Sequence, residues 1–414
     1  MTSWSGCVAE LCTVANAAEV AARVRAQVPA GESVAAAVAE IVAAVRARGD
    51  AAVREYEARF AGDARPTRSR RGNLPLAVPA PVLDSALAEL APAVRAGLEV
   101  AIENVRAVAL AGIDEEAGVV LPQGQTVTLR EIPVRRAMVY APSGRHPYPS
   151  TVVMGVVTAK TAGVEEVYLA SAPHPVILAA AKLCGADAVY RVTGAQAVAA
   201  FAYGTETVPR ADVIVGPGSL YVQEAKRQVS GAVGIDGFNG PSDLTVIATR
   251  GADTEALTLD LAAQAEHGEG SLTVAVSDDE TILASLDARF SVLADNMQAA
   301  LAFAEALAPE HLQLAGDAAE ALAPRIRSAG CLFVGNAAGT AFGDYVAGSN
   351  HTLPTEGAAR FASGLNVRHF RRRMAEVRLN DAAPALARAG VPIARAEGFE
   401  RHAASMALRQ NPRP

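Results

Sequence analysis

Hydrophobic positions repeat at helical spacing early in the chain. From Val34 to Arg48, and again through Pro81–Leu110, apolar residues recur every three to four positions. After the first of these stretches, Gly49 and Asp50 supply a helix stop and a new N-cap. The pattern therefore predicts that residues 32–112 are largely helical.

A different pattern begins at Ala137, where short β-branched runs alternate with helical segments. The predicted strands form two sets: Ala137–Ala141, Glu166–Ser171, Ala188–Val192 and Asp212–Val215, then Leu244–Ala248, Leu272–Val276, His311–Leu314 and Cys331–Val334. Strands separated by helices in this way are typical of parallel sheets covered by helices. We therefore predict an α/β protein with two doubly wound, Rossmann-like parallel-sheet domains.

Four segments follow from the pattern. We expect residues 1–30 to be an N-terminal helical arm, and residues 31–135 with 244–367 to form a first α/β domain that carries the catalytic and metal loops. Residues 136–243 would be a second, nucleotide-binding α/β domain. Residues 368–414 would be a helical tail with too few apolar residues for a core of its own, which predicts that it docks on a partner subunit.

Composition narrows the class of protein. About half of the 414 residues are apolar, and the net charge of −7 argues against nucleic-acid binding. No apolar run approaches the ~20 residues of a membrane span, and no signal peptide is evident. The four cysteines are scattered without a CxxC pair, which is typical of reduced thiols in a cytoplasmic protein. Any metal would therefore be bound by His, Asp, Glu or Gln.

A glycine-rich turn follows the predicted strand Asp212–Val215. Gly216-Pro217-Gly218-Ser219 precedes a helix that starts near Tyr221, and the backbone amides of such a helix start can receive a phosphate. A full GxGxxG pattern is absent, so a simple strand-to-helix turn is an equal alternative.

Two segments combine histidine with oxygen ligands. Gln264 and His267 lie one turn apart near the end of a predicted helix, Thr254–His267, where they can offer a metal one oxygen and one nitrogen. The alternative is a surface glutamine and a histidine that interacts with the helix dipole. Asp344 and His351 lie in a glycine-rich loop after a strand, where parallel-sheet folds place their sites. A solvated surface loop is the alternative there.

Glu310 and His311 are candidate proton-transfer groups. Neighbours on a regular strand point to opposite faces, so both residues can serve one site only if the backbone bends. Otherwise they are an exposed glutamate and a histidine at the edge of the core. His402, in the tail, is by itself typical of a solvated helix. The mixed nitrogen and oxygen ligands that would suit zinc are Gln264, His267, Asp344 and His402.

These motifs resemble the histidinol dehydrogenase family. The matching segments are IVAAVRARGDAAVREYEARF (41–60), TGAQAVAAFAYGTETVP (193–209), GPGSLYVQEAKRQVS (216–230), NGPSD (239–243), QAEHG (264–268), APEHL (308–312), GDYVAGSNHTLPT (343–355) and EGFERHAASMALR (397–409). Residues 1–30 and 63–130 match poorly.

The resemblance implies a zinc- and NAD-dependent alcohol dehydrogenase that oxidises L-histidinol through L-histidinal to L-histidine, the last step of histidine biosynthesis. It implies that zinc is bound by Gln264, His267, Asp344 and His402, and that Glu310 and His311 transfer protons. The substrate contacts would be these four ligands with His311, Ser242, His351 and Glu397. The nucleotide contacts would be Tyr140, Gln196 and Ser219. The resemblance also implies a homodimer in which Glu397 and His402 of the tail complete the neighbouring subunit's site.

The chain departs from the family's usual residues in three places. It has Ser219 where the family usually has Asn, Asp243 where the family has Glu, and Pro142-Ser143-Gly144 where the family has Pro-Gly-Gly. One alternative is therefore a paralogous zinc and NAD dehydrogenase of another amino alcohol or a polyol, such as sulfopropanediol. The other is a catalytically inactive protein that binds a metal or a nucleotide. The substrate contacts Ser242, His351 and Glu397 argue against the first, and the acid–base pair argues against the second.

Overall fold

The computed structural model describes residues 10–28, 33–60, 74–142, 146–238, 240–268 and 270–410. Ser143 and Gly144 of the segment Pro142-Ser143-Gly144, and part of the predicted N-terminal arm (residues 1–30), lie outside the described residues. The chain divides into two compact units, Met1–Gly112 with Val134–Phe370 and Ile113–Pro133 with Arg371–Pro414. The four predicted segment boundaries remain a prediction, because the contacts that define these units do not test them.

The strands of the described residues are β1 (Glu10–Cys12), β2 (Ala117–Val120), β3 (Thr126–Pro133), β4 (Arg136–Tyr140), β5 (Glu166–Ala170), β6 (Ala188–Tyr190), β7 (Val213–Val215), β8 (Gly234–Ile235), β9 (Asp243–Ala248), β10 (Leu272–Ser277), β11 (Phe290–Ala294), β12 (His311–Ala315), β13 (Cys331–Val334) and β14 (Arg371–Arg378).

The α-helices are α1 (Ala17–Ala26), α2 (Ala35–Arg48), α3 (Asp50–Phe60), α4 (Ala80–Ala88), α5 (Pro92–Ala111), α6 (Pro149–Val152), α7 (Thr158–Thr161), α8 (Pro175–Cys184), α9 (Gly194–Tyr203), α10 (Leu220–Val229), α11 (Thr254–Ala265), α12 (Glu280–Ala284), α13 (Met297–Leu307), α14 (Asp317–Glu320), α15 (Thr340–Tyr345), α16 (Ala383–Ala396) and α17 (Glu400–Ala407). A π-helical turn, Val153–Val157, joins α6 to α7, and short 3₁₀ turns are Ala323–Arg325, Ala358–Arg360, Val367–Phe370 and Asn380–Ala382. None of the helices in this part of the chain is long and apolar enough to cross a membrane.

A six-stranded sheet in the first unit has the order β1-β11-β10-β9-β12-β13, and every neighbouring pair is parallel. Successive side chains of β9 enter different hydrophobic clusters. Val246 packs with Leu257 and Leu261 of α11, whereas Ile247 packs with Phe303 of α13. Helices therefore cover both faces of this sheet, as the sequence predicted.

A five-stranded sheet in the same unit has the order β6-β5-β4-β7-β8 and is also parallel throughout. Met138 and Ile214 on one face pack with side chains of α2, α3, α9 and α10. The π-helical turn covers the other face so closely that a Cβ on Gly155 would collide with Val139. The predicted fold class, with two doubly wound parallel sheets, is confirmed.

The first described residues belong to the six-stranded sheet. β1 is its edge strand and pairs with β11, and α1 packs on α13. Val20 and Val24 of α1 enter the same cluster as the sheet residues Val292 and Leu312. Glu10–Ala26 are thus an integral part of the first unit.

The second unit contains a sheet that the sequence analysis missed. Its order is β14-β3-β2 and both pairs are antiparallel. The prediction of a wholly helical tail was wrong for Arg371–Arg378, because these residues, which begin with three consecutive arginines, form a strand. Eight residues of β14 pair with β3 over their full length, and this cross-strand pairing overrides the weak helical pattern. Helices α16 and α17 then pack together around Val391, Ala394 and Ala403.

Candidate active site

Glu310 and His311 lie between the end of α13 and the start of β12. Ala308 has a φ of 48°, in the left-handed region, and Glu310 precedes the first residue of the strand. The chain therefore bends before regular strand alternation begins. Nδ1 of His311 lies 3.6 Å from Oε2 of Glu310, and both residues are buried. The bend that a shared site requires is present.

The carboxylate of Glu310 is held at the start of β9. Its Oε2 accepts hydrogen bonds from the hydroxyl of Ser242 and, at 3.0 Å, from the backbone N–H of Asp243. Burial raises the pKa of Glu310; the charge of His311 opposes the rise and the carboxylate of Asp243 adds to it. This carboxyl group is thus shifted toward the range in which it can exchange a proton near neutral pH.

The ring of His311 lies between two carboxylates. Nε2 is 3.7 Å from Oδ1 of Asp344, and Nδ1 is 3.3 Å from the backbone oxygen of Asp243. Burial acts to lower the pKa of His311, but the charges of Glu310 and Asp344 outweigh this effect and raise the pKa. The two carboxylates thus stabilise the protonated form of this imidazole.

Gln264 and His267 lie at the end of α11. The helix ends at Ala265, two residues earlier than predicted, so His267 lies in the turn that follows. Nε2 of Gln264 donates to the hydroxyls of Ser242 at 2.7 Å and Ser271 at 3.2 Å. Nδ1 of His267 lies 3.1 Å from the backbone oxygen of Gln264. With the proton on Nδ1, the lone pair of Nε2 is oriented as a metal-binding histidine requires.

Asp344 lies on α15 and not, as predicted, in a loop. Burial acts to raise its pKa, but the neighbouring ring of His311 lowers the pKa overall, so the carboxylate stays ionised. His351 is engaged at both ring nitrogens: Nδ1 is 2.9 Å from the backbone oxygen of Asp344, and Nε2 is 3.1 Å from the hydroxyl of Thr151. His351 thus supports the backbone of Asp344.

The predicted site residues fall into two groups. Ser242, Gln264, Glu310, His311 and Asp344 are connected by the contacts above, and His267 joins them through the backbone oxygen of Gln264. Glu397 and His402 belong to the second unit and are exposed; the ring of His402 packs at 5.2 Å on Phe399. Among the described residues, no cluster of three or more His, Cys, Asp or Glu side chains could hold a metal ion.

Two predicted nucleotide contacts meet at the start of α9. The hydroxyl of Tyr140, at the end of β4, accepts a hydrogen bond from the backbone of Gly194 at 3.0 Å. Nε2 of Gln196 donates at 2.8 Å to Glu57, which also accepts from the backbone of Thr193 at 2.7 Å. Sequence reasoning missed Glu57, because nothing in the helical pattern of α3 distinguishes it from the other charged residues of that helix.

The third predicted nucleotide contact, Ser219, is the N-cap of α10. The turn before it lies against the end of β4, since a Cβ on Gly216, whose φ is 116°, would collide with the backbone of Tyr140. A cavity of about 370 Å³ is lined by Ser219 on one side and by Ser242 and His267 on the other. The glycine-rich turn and the metal-ligand candidate His267 thus border one cavity.

Known proteins resemble this chain along most of its length. The family model described as histidinol dehydrogenase matches residues 24–293 and 281–410. A histidinol dehydrogenase of Rhizobium meliloti (strain 1021) is 40% identical over 409 residues, covering 92% of this chain and 93% of that protein. One of Pseudomonas aeruginosa is 41% identical over 408 residues, covering 90% of each.

The fold matches as well. The crystal structure of histidinol dehydrogenase from Elizabethkingia anophelis superposes with a TM-score of 0.88 at 26% sequence identity, covering 99% of this chain and 98% of that one. Family match, sequence identity and fold agree over nearly the whole chain. The chain belongs to the histidinol dehydrogenase family.

Proposed function

We propose that this chain oxidises L-histidinol through L-histidinal to L-histidine, the last step of histidine biosynthesis, with zinc and two molecules of NAD. The observation that carries the proposal is the buried pair of Glu310 and His311, held by Ser242 and Asp344. A proton-transfer pair is what a two-step oxidation of an alcohol to an acid needs, since a hydroxyl and then a water must each lose a proton.

The chain's own residues supply proton transfer and orientation. The neutral imidazole of His311, with its proton on Nδ1 toward the backbone oxygen of Asp243, would take the proton of the substrate hydroxyl on Nε2. The neighbouring carboxylates of Glu310 and Asp344 would stabilise the imidazolium that forms. The carboxylate of Glu310 takes a proton from the water that adds to the bound aldehyde. Ser242, His351 and Glu397 would contact the substrate. When bound, NAD would accept the hydride, and zinc, held by Gln264, His267, Asp344 and His402, would orient the substrate.

The donors present fit zinc. Gln264, His267 and Asp344 offer an amide oxygen, an imidazole nitrogen and an ionised carboxylate, which is the mixture that zinc accepts. His402, on α17, would supply a second imidazole. Tyr140, Gln196 and Ser219 would contact NAD, because they line the start of α9 and the start of α10.

His267→Asn is expected to lower zinc affinity by at least the ~10–100-fold that loss of a supporting partner costs, since one imidazole donor is removed. Zinc content of the purified protein, measured by atomic absorption against a competing chelator, checks this. His174→Asn is the matched control, because His174 is an exposed histidine that caps α8. Equal zinc affinity in the His267 variant and the control would remove His267 from the metal site.

We also propose a homodimer in which the tail reaches the neighbouring subunit. The second unit exposes large apolar side chains, with Val120 73%, Ile393 60% and Leu408 62% accessible. Its helices enclose only a small cluster around Val391. Burial of such side chains in an interface would offset the missing core. Glu397 and His402 would then join the partner's site.

The composite site has a direct consequence. His402→Ala and His267→Ala proteins should each be nearly inactive, yet a mixture that has exchanged subunits should regain up to about a quarter of wild-type activity. One of the two sites in each heterodimer then draws both ligands from undamaged segments. Activity and heterodimer fraction are measured on the same mixture. Absence of recovery at a demonstrated heterodimer fraction would place His402 in its own chain's site or away from the metal.

The proposed function is tested by NADH formation from L-histidinol with purified, zinc-loaded protein. Two molecules of NADH should form per histidinol consumed, with histidine as the product. Sulfopropanediol and other amino alcohols are assayed in parallel. If one of those compounds yields NADH and histidinol does not, that compound replaces histidinol as the substrate. If neither histidinol nor any of the other compounds yields NADH, the result supports an inactive binding protein.

A further inference from the structure

Arg25 and Asp243 hold both ends of the turn that precedes the acid–base pair. Nη1 of Arg25 lies 2.6 Å from Oδ2 of Asp243, and Nη2 donates at 2.8 Å to the backbone oxygen of Leu307. The other carboxylate oxygen, Oδ1 of Asp243, accepts from the backbone N–H of Glu310 at 2.7 Å. The guanidinium and the carboxylate thus bridge Leu307, at the end of α13, to Glu310.

That turn decides where the catalytic groups lie. Ala308 is held at a φ of 48°, which a residue with a Cβ adopts only when its surroundings enforce it. The bend it produces brings Glu310 and His311 to one site. The backbone of Asp243 takes part as well, because its N–H donates to the carboxylate of Glu310 and its carbonyl oxygen faces His311.

Charge explains why the two residues act together. Asp243 is buried, with 1% of its surface accessible, and a buried carboxylate is stable only with a partner. Arg25 provides that partner, and the planar fork of its guanidinium lets it bind a backbone carbonyl at the same time. Arg25 lies in the last turn of α1, so the partner comes from the first helix of the described chain.

We propose that Arg25 and Asp243 are positioning residues of the active site, which fix the Leu307–Glu310 turn and thereby the relation of the Glu310 carboxylate to His311. The inference rests on the proposed function. In this proposal α1 helps to position the catalytic groups through Arg25, although no residue of this helix binds the metal or transfers a proton.

Arg25→Met tests the proposal, with Arg23→Met as the matched control because Arg23 is an exposed arginine of the same helix. For Arg25→Met, kcat with the substrate that wild-type protein oxidises should fall about 100-fold, the scale of a 1 Å misplacement of catalytic groups. The KM values for the substrate and for NAD, and the zinc content, should stay within about twofold of wild type, since Arg25 contacts neither Ser219 nor His267. Arg23→Met should match wild type throughout.

Two further readouts separate positioning from mere stability. Arg25→Lys keeps the charge but not the fork, so its kcat should lie between those of the Met variant and wild type. Added ethylguanidinium should restore part of the activity of Arg25→Ala, in which the truncated side chain leaves room for it, and should restore none to wild type or to Arg23→Met. Wild-type kcat in Arg25→Met overturns the proposal. If that variant does not fold, an unchanged kcat in Arg25→Lys overturns it instead.

A failure of the proposed function gives a different result. In that case the wild-type protein itself forms no NADH from histidinol, and the comparison is repeated on whichever substrate the wild type oxidises. A loss of zinc and of melting temperature in parallel with kcat, without rescue by ethylguanidinium, assigns the ion pair to folding alone and overturns the positioning role.

Discussion

Glu310→Gln should slow oxidation of the aldehyde by about 10²–10⁴-fold, the range for loss of one proton-transfer group, and slow oxidation of the alcohol far less. The amide keeps the shape of the carboxylate and still accepts the hydrogen bonds of Ser242 and Asp243. It cannot take a proton from water. The alcohol step uses His311 as its base and retains it.

Single-turnover kinetics from histidinol and from histidinal, each followed by NADH absorbance, measure the two steps separately. Glu305→Gln is the matched control, because Glu305 also accepts hydrogen bonds from backbone N–H groups, those of Arg327 and Ser328. It lies near the end of α13, the helix that precedes Glu310. Its rates should equal wild type. Equal losses in both steps of Glu310→Gln would mean that Glu310 shapes the site and does not transfer the proton.

Lys226→Met should lower the free energy of unfolding by about 3–5 kcal/mol, the usual cost of removing one partner of a buried ion pair. Lys226 is fully buried on α10 and forms an ion pair with Asp236, of which only 3% of the side chain is accessible. The pair also holds the peptide of Gly216: Lys226 donates to its oxygen at 3.1 Å, and Asp236 accepts from its N–H at 2.7 Å.

Urea unfolding at fixed protein concentration measures the loss. Lys182→Met is the control: Lys182 pairs with Asp84 at the surface, and such pairs contribute less than about 1 kcal/mol. The double replacement Lys226→Met with Asp236→Asn should recover part of the loss, because no charge is then buried alone and the amide oxygen still accepts from the N–H of Gly216. A loss below about 1 kcal/mol in Lys226→Met would mean that water or a rearrangement solvates Asp236.

The same Lys226→Met variant should have a higher KM for NAD, because the peptide of Gly216 that Lys226 holds begins the turn that ends at Ser219.

The sequence predicted the two parallel sheets because their pattern is local. Each of the eight predicted strands agrees with an observed strand to within two residues at either end, for example Leu244–Ala248 against β9. Strands buried on both faces are short apolar runs, and helices with one buried face repeat every three to four residues. Such signals need no knowledge of the partner element.

Pairing between distant segments was not predictable in this way. β14 pairs with β3 although Met374 and Arg130 lie more than two hundred positions apart, and RRRMAEVR has no apolar alternation that would mark it as a strand. β1, β8 and β11 were missed for the same reason. They are short or weakly patterned, and only the neighbouring strand stabilises each of them.

For the site, the sequence by itself determined which side chains are available. Family motifs named Glu310, His311, Gln264, His267 and Asp344. In the described structure Ser242 contacts both Glu310 and Gln264, and Asp344 lies beside His311. Each of those short motifs contains one or two of the proposed site residues together with their neighbours in the chain.

Only the tertiary structure decided how these groups are held. Arg25 and Asp243 lie 218 positions apart, and Glu57 and Gln196 lie 139 apart, so neither contact leaves a local trace in the sequence. The left-handed conformation of Ala308 could not be predicted from the sequence either, because alanine rarely adopts it unless the surrounding structure enforces it. A sequence pattern records which residues a segment offers, whereas burial and charge pairing between distant segments depend on the folded chain as a whole.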